Sequence, residues 1–470
     1  MAGIKFSGIA SGIDSAALID SIIEARNAAN VRRQADIEDL QAENTALEDL
    51  GAQLLELNDL IDTFRSANGT GLSKKGAVSN SSVLTAAVGS SAANSSYTVT
   101  VGQTASTGTA SFDDSYSDLT ALVAPNAVGT QAVEIQVGTG ADQVSISVDV
   151  TNATTMAEFV DSVNQHANAS GRLSASAINV GTDSSPSYKV VFNSLQQGAD
   201  KGSIAFVIPD AATGFGGNSD LQSRTVSQAT NAEFTVSGIT GTITRASNTV
   251  DDIISGVTLQ LADVGTSTIT VSDDSDKTTE NMAKIVEKFN EIVAFVAENN
   301  LVKRVESGDS VANVFGSLAK TQTDDNFLAS FRTAMTAASS ASGVSVTGMS
   351  ELGISTNRDG TLTFNEDVFK SAISGDPTGA SEVLTSFADS VAGVEGFIYE
   401  YTKYQGLLEL STSANNSEID SLNEMIANLD RNNESYRITL ESKFATLEGT
   451  IGRMQSQQSA LTSILAGLNN

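Results

Sequence analysis

The last sixty or so residues carry apolar side chains at alternating steps of three and four, and a stripe of that kind demands a partner. It runs through Ile419, Leu422, Ile426, Leu429, Asn433, Tyr436, Leu440, Phe444, Leu447, Ile451, Met454, Gln458, Leu461, Leu465 and Leu468. Steps of three and four place all of these on one narrow face of an α-helix, too narrow to be buried except against another helix. The successive steps of four from Tyr436 through Leu440 to Phe444 form a stutter, expected to unwind a supercoil locally. Asn433 and Gln458 are the polar members of the stripe, and such residues fix register at some cost in stability. Gly449 and Gly452 lie inside the pattern, each costing roughly 1 kcal/mol relative to Ala, and are expected to mark a bend or a frayed segment.

The other end of the chain offers a partner. Residues 14–65 contain no proline and space Leu18, Ile22, Ile23, Ile37, Leu40, Leu47, Leu50, Leu54, Leu57, Ile61 and Phe64 helically, with Ser11 and Asp14 as a capping pair. Residues 36–62 carry Glu38, Asp39, Glu43, Glu48, Asp49, Glu56 and Asp59 with no Lys or Arg, whereas the C-terminal helix supplies Arg431, Arg437, Lys443 and Arg453. The two ends are therefore expected to lie against each other with charge complementarity at their flanks. The alternative is two ordinary amphipathic helices in separate bundles.

Composition excludes several classes of function. A net charge of −30 leaves no surplus of cations to neutralise phosphates or to reach an anionic membrane, so nucleic-acid binding is not expected; nor is membrane insertion, since no segment approaches a membrane span. The absence of cysteine removes disulfides, thiolate metal sites and cysteine nucleophiles, and leaves a chain that can be threaded unfolded through a narrow pore. Ser, Gly and Asp interrupt every apolar run before Leu18, so no secretory apolar segment is read there. The expectation is a protein that stays in the cytosol or leaves without a cleaved signal.

Between the helical ends, residues 74–275 are rich in Ser, Thr, Gly, Ala, Asn and Val with period-two alternation. Residues 97–101, 133–137, 144–148 and 267–271 read as half-buried strands. Residues 154–167 read as a short helix with Met156, Phe159, Val160 and Val163 on one face. Helical spacing returns at 279–301 and 326–338. Residues 352–364 alternate around Asp359-Gly360, a hairpin signal, and 368–373 and 377–387 read as short helices, Pro377 in a first turn. If the terminal helices pair, the chain goes out and returns, leaving the β region at the far end of a helical rod.

The catalytic inventory is poor. His166, the only histidine, sits in a polar stretch and reads as an exposed residue near a helix end. No phosphate-cradling glycine loop with its lysine is present, and Gly214-Phe215-Gly216-Gly217 reads as a flexible loop. Residues 355–366 align with a twelve-residue calcium loop through Asn357, Asp359, Gly360 and Glu366. Ser355 stands where that loop needs Asp, and an alternating hairpin fits better.

Several stretches resemble the hook-associated protein 2 family of flagellar filament cap proteins. They are residues 7–14 (Ser-Gly-Ile-Ala-Ser-Gly-Ile-Asp), 82–86 followed by 97–101, Asn231-Ala232-Glu233-Phe234 followed by 245–252 and 256–259, Leu352-Gly353-Ile354 with 359–362, and 444–448. Residues 154–164 and 175–181 resemble a motif shared with flagellins and hook-associated proteins. These matches are ordered and span most of the chain, with only β texture at 104–153.

The resemblance implies a secreted, non-enzymatic assembly protein without a cofactor. It would leave through the flagellar type III export machinery on an uncleaved N-terminal signal, with an export chaperone, and form a homo-oligomeric ring at the distal filament tip. Flagellin and axial flagellar subunits are the partners it implies; flagellin would fold and insert beneath a β-rich plate. The implied fold is α+β and multidomain, an antiparallel helical or coiled-coil stalk from both chain ends with nested β-rich head domains. Residues 1–35 would form a helical assembly and export segment, and 36–71 with 275–402 a discontinuous stalk domain. Residues 72–105 with 230–274 would form a head domain, 106–229 an inserted outer head domain, and 403–470 the C-terminal coiled-coil helix.

The expected assembly residues are Leu422, Ile426, Leu429, Asn433, Tyr436, Leu440, Phe444, Leu447, Ile451, Leu461 and Leu465, facing Leu40, Leu47, Leu54 and Ile61. The rival reading is a surface adhesin that binds host or environmental glycans through the head.

Overall fold

The computed structural model describes residues 12, 14–208, 221, 223–307, 310–336 and 343–468. Ser7 to Ser11 and Ile13 of the N-terminal signature, the proposed Ser11 cap and the Gly214–Gly217 stretch lie outside them. The chain opens with α1 (Ser15–Asp62). Strands follow: β1 (Lys74–Val78), β2 (Leu84–Val88), β3 (Ser95–Gln103), β4 (Thr107–Phe112), β5 (Gln131–Val137) and β6 (Val144–Val150). Then come α2 (Met156–Gln165), β7 (Leu173–Asn179), β8 (Tyr188–Gln197), α3 (Ala199–Gly202), β9 (Ile204–Val207) and β10 (Arg224–Ser227). Next are β11 (Ala232–Val236), β12 (Ile243–Arg245), β13 (Thr249–Ile254), β14 (Val257–Leu261) and β15 (Gly265–Asp273). The return begins with α4 (Ser275–Asn299), β16 (Val302–Ser307), β17 (Ser310–Phe315), α5 (Thr323–Ala334), β18 (Ile354–Thr356) and β19 (Leu362–Phe364). It ends with α6 (Glu366–Gly375), α7 (Pro377–Val391), α8 (Phe397–Thr402) and α9 (Leu407–Leu468).

Two compact units result: Met1–Gly71 with Thr279–Asn470, and Leu72–Thr278. The mixed α+β, multidomain class follows directly, with helices from both chain ends and antiparallel sheets from the middle.

Alternation builds the β unit. In β6 Ile146, Val148 and Val150 turn inward while Ser145, Ser147 and Asp149 face out, as a half-buried strand requires. Two dry cores form. Sheets β1-β15-β3-β11-β12 and β13-β14-β2 share Leu84, Val99, Phe234, Leu259 and Ile269. Sheets β10-β4-β8-β7 and β6-β5-β9, with α2, share Phe112, Phe159, Phe192, Val133 and Ile146. Helix α2 starts at a capping box, Thr155 and Glu158 exchanging hydrogen bonds with each other's backbone. It spans two residues fewer than spacing suggested at each end, because the chain turns into an extended conformation at His166.

In the helical unit, α4, α5, α7 and α8 bring Phe289, Phe331, Phe327, Phe387, Phe397 and Tyr401 together. Phe289 stacks on Phe331 with ring centres 4.0 Å apart, and Phe387 meets Phe331 edge-on at 5.7 Å; pairs like these add about 0.5–1.5 kcal/mol each to their burial. Pro377 occupies the first turn of α7, and Asp376 caps it. The Asp376 carboxylate accepts from the backbone N–H groups of Gly379, Val346 and Ser345, which lowers its pKa to about 2. Residues 326–338 differ from the expected helix: α5 begins earlier, at Thr323, and ends at Ala334, with residues 337 and 338 outside the described set.

The hairpin around Asp359-Gly360 is β18 paired with β19. Its Asp359 side chain is taken by the N–H and hydroxyl of Thr361, at 3.0 and 2.6 Å. Among the described residues, no group of three or more His, Cys, Asp or Glu side chains clusters as a metal site would require. His166 is half-buried just past α2, its Nδ1 accepting from Asn168 N–H at 3.2 Å.

Candidate functional site

Helix α1 begins where its chemistry says it must. Asp14 accepts from Ala17 N–H at 3.0 Å, and Gly12, two residues earlier, has φ +73°, a left-handed conformation that glycine tolerates. From there α1 runs antiparallel to α9. Arg437 Nη1 lies 2.7 Å from Asp20 Oδ1, and Arg26 Nε donates to Asn433 Oδ1 at 2.8 Å. Asn30 Nδ2 donates to Asp430 Oδ1 at 2.8 Å and Asn44 Nδ2 to Asn416 Oδ1 at 2.9 Å. Each step forward on α1 is a step back on α9.

That register divides the stripe. Ile419, Leu422, Ile426, Leu429, Asn433, Tyr436 and Leu440 are buried or half-buried, and Phe444, level with the first turn of α1, is half-buried as well. Leu422 and Asn433 are covered most completely, Asn433 being only 4% exposed. Beyond Phe444 no described residue of α1 continues alongside. Leu447 is 46% exposed, Leu461 62%, and Met454 and Leu465 similarly bare, while Ile451 is half-buried. The spacing predicted one continuous paired seam. The structure covers only its first half, because the Asp14 cap ends α1 while α9 continues for another two dozen residues. The helix runs through Gly449 and Gly452 without interruption.

On α1 the expected positions behave unequally. Leu47, Leu54 and Ile61 are fully buried and Leu40 half-buried. This stretch packs against α7 and α8 as well as α9, which explains the complete burial. Nearer the N-terminus, Ile19 and Ile23 turn inward and Leu18 turns out to solvent.

The expected charge match needs correction. Arg431, Arg437 and Lys443 lie level with the first part of α1, far from its acidic stretch, and among the described residues Arg437 pairs with Asp20 across these helices. The acidic stretch finds cations elsewhere: Asp39 pairs with Lys320 at 2.8 Å, and Glu56 with Lys288 of α4. The Glu56 contact raises the Lys288 pKa, burial opposing it.

Spacing alone missed the side-chain rungs between the helices. Asn433 accepts from Arg26 and donates from Nδ2 to Asn27 Oδ1 at 2.5 Å, while the Arg26 guanidinium stands 4.5 Å over the Tyr436 ring. Asn415 Nδ2 donates to Asn44 Oδ1 at 2.9 Å, and Arg33 steadies Asn30 at 2.8 Å. The available signal was the concentration of Asn at facing positions of both helices. Such rungs satisfy polar groups inside the seam and fix its register.

Paired terminal helices, an apolar stripe left open and nested antiparallel sheets define a structural assembly protein. Residues 11–108 match the family model for the flagellar hook-associated protein 2 N-terminus, and residues 229–456 match that for its C-terminus. The A-type flagellar hook-associated protein 2 of Pseudomonas aeruginosa is 26% identical over 487 residues, covering 98% of this chain and 97% of the relative. A B-type protein from the same species is 27% identical over 496 residues, covering 100% and 98%. The crystal structure of the flagellar cap protein D1-D2-D3 domains from Escherichia coli shares the fold with a TM-score of 0.57 at 20% identity, covering 79% of this chain and 99% of that one. The chain belongs to the flagellar hook-associated protein 2 family.

Proposed function

We propose that this chain caps the distal end of the bacterial flagellar filament as an oligomeric ring, and that the bare half of α9 is the surface by which it grips its neighbours. The observation that carries this reading is the continuation of one apolar stripe from a covered to an uncovered stretch of the same helix. From residue 445 to 465 the open stripe is about 30 Å long at 1.5 Å per residue. Burying one Leu or Ile there contributes on the order of 1.5–3 kcal/mol, so a few positions shared with adjoining axial subunits hold a ring in place. The grip stays moderate because Gln458 and the glycines interrupt it, which suits a cap that must shift as flagellin is added.

The partners are further copies of the chain, flagellin and the axial subunits. The protein travels through the flagellar type III export machinery with an export chaperone, and it performs no catalysis and uses no cofactor. The adhesin alternative draws no support from the family or from the site.

The test is Leu461→Asp in the full chain. Leu461 touches little within its own chain, so the purified variant should melt like the parent, while cells carrying it should release flagellin unpolymerised. Normal filaments on those cells would refute the role given to the stripe. Leu429→Asp should give the same phenotype, but it also loosens the α1–α9 pair, so Leu461 is the cleaner probe.

A further inference from the structure

A closed ring needs two different complementary surfaces on each copy, because a head-to-tail contact never pairs a patch with itself. The helical unit carries two such surfaces, neither of them part of the α9 stripe. The first is a projecting arm. Among the described residues, strands β16 and β17 pair only with each other, from Val302 opposite Phe315 to Ser307 opposite Ser310. An isolated two-stranded hairpin is marginal in water, and among the described residues no further strand joins either outer edge.

Its root is firmly held. Gly316 N–H donates to Leu301 C=O at 2.8 Å and Leu318 N–H to Asn299 C=O at 3.0 Å. A Cβ on Gly316 would lie 2.1 Å from Asn299 O, so only glycine fits. By strand alternation Leu301, Lys303 and the facing Val314 share one side of the arm, and all three are exposed. That side offers two apolar groups and a cation.

The second surface is an open cleft of about 340 Å³ between α1 and the α8–α9 corner. Leu55, Tyr404 and Leu408 line it, with Glu48 and Glu409 at its rim. Tyr404 is 81% exposed, a large aromatic left in solvent. Beside it Gln405 holds φ at +54°, a conformation that costs a non-glycine residue energy. The Gln405 N–H donates to Glu409 Oε2 at 2.5 Å, and Gly406 N–H to Lys403 C=O at 2.8 Å, so the strained corner is fixed. The cleft thus offers two apolar groups, an aromatic face and two anions; Lys403 also lines it, its charge already met by Glu400 at 2.6 Å. Asp39, tied to Lys320 near the arm, and the cleft residues Glu48 and Leu55 are separated by roughly 13–24 Å along α1. The two surfaces are therefore distinct.

We propose that the β16–β17 arm of one copy docks in the Leu55–Tyr404–Leu408 cleft of the next copy. Leu301 and Val314 cover the apolar wall, and Lys303 faces Tyr404 and the Glu48 and Glu409 rim. The charge match favours a second copy over a random apolar surface, since copies that each carry −30 repel unless a cation is directed onto an anion at contact. This inference rests on the ring reading above and adds a contact between its subunits.

The chain contains no cysteine, which makes the test direct. A full-length Val314→Cys, Tyr404→Cys double variant, oxidised, should give a ladder of covalent multimers, whereas each single variant should give dimers at most. Lys303→Glu should lower the ring fraction seen by electron microscopy at least about tenfold, and adding Glu48→Lys, at the exposed rim of the cleft, should restore it. All these sites are exposed, so melting should not change.

A double-cysteine chain that closes only within itself, or stays monomeric while the parent forms rings, overturns the proposal. So do undiminished rings from Lys303→Glu and Val314→Asp. If those variants keep their rings while Leu461→Asp loses them, the arm fails and the cap reading stands. Loss of rings by the arm variants alone supports the arm contact and limits the α9 stripe to gripping axial subunits, the role that the flagellin-release test reads.

Discussion

The two halves of α9 have the same spacing and opposite fates. Before Phe444 the stripe meets α1 and is threaded with side-chain hydrogen bonds; after it Ile451 is half-buried, but Leu447, Met454, Leu461 and Leu465 face solvent. The difference arises outside α9, at the other end of the chain, where Gly12 and the Asp14 cap terminate the partner helix. Periodicity fixes which residues share a face, but what covers that face depends on where a distant helix begins.

The sharpest way to break this comparison is to truncate leucines in covered and bare stretches. Leu54→Ala removes a fully buried side chain of α1 and should cost about 2–5 kcal/mol in urea unfolding. Leu461→Ala should stay within about 0.5 kcal/mol of the parent monomer. Equal losses would mean that something within the chain covers the second half of α9, and the contrast would fall.

A second test concerns polar groups inside the helical unit. Asn433 is buried in the coil with partners on both its oxygen and its nitrogen. Asp324, in the first turn of α5, is less well supplied. Asn300 Nδ2 donates to its Oδ2 at 2.7 Å, but Asp324 Oδ1 and Asn300 Oδ1 are both buried without a partner. Burial raises the Asp324 pKa, the bond from Asn300 opposing this. The folded state therefore holds this proton to higher pH than the unfolded state does. The charged form costs stability above the raised pKa, and that cost disappears as pH falls through it towards the ordinary carboxylate value. Asp324→Asn supplies a donor for the stranded Asn300 oxygen. It should stabilise the chain by about 1–2 kcal/mol at pH 7, with the gain shrinking as pH falls. A gain constant from pH 7 to pH 4 would show that ionisation is not its source.

Removing a rung should separate register from stability. Asn433→Leu trades a satisfied polar residue for an apolar one and should change stability by less than about 1 kcal/mol. Register should loosen nonetheless. With Asp20→Cys and Arg437→Cys introduced together, the parent background should oxidise to one species, and Asn433→Leu should crosslink more slowly and to a smaller extent. Unchanged crosslinking would assign the register to the remaining Asn rungs.

Much of this organisation was legible. Strict alternation marked β5, β6 and β15, the Asp359-Gly360 turn marked β18–β19, and helical spacing marked both terminal helices, because each signal is local. The β16–β17 hairpin escaped notice although Val302, Val305, Val311 and Val314 flank Gly308-Asp309, since its alternation is broken by charged residues and follows directly on a helix. The Lys partners of Asp39 and Glu56 were illegible because they come from elements hundreds of residues away. The Asn rungs required the register of two helices nearly four hundred residues apart, which composition does not contain.

The smallest effect probes the bare half alone. Gly449 sits inside α9 with nothing within 4 Å of where a Cβ would lie, so Gly449→Ala adds a methyl group in open space and removes glycine's excess backbone freedom. It should strengthen the local helix by roughly 1 kcal/mol, slowing amide exchange around residues 445–455 by about fivefold if those residues open locally. The same substitution in the covered half would be masked by packing, so the size of the response measures how little holds this segment. Unchanged exchange would mean that the segment is already clamped within its own chain. Slower exchange with slower filament growth would mean that the cap needs this stretch of α9 to yield as it moves.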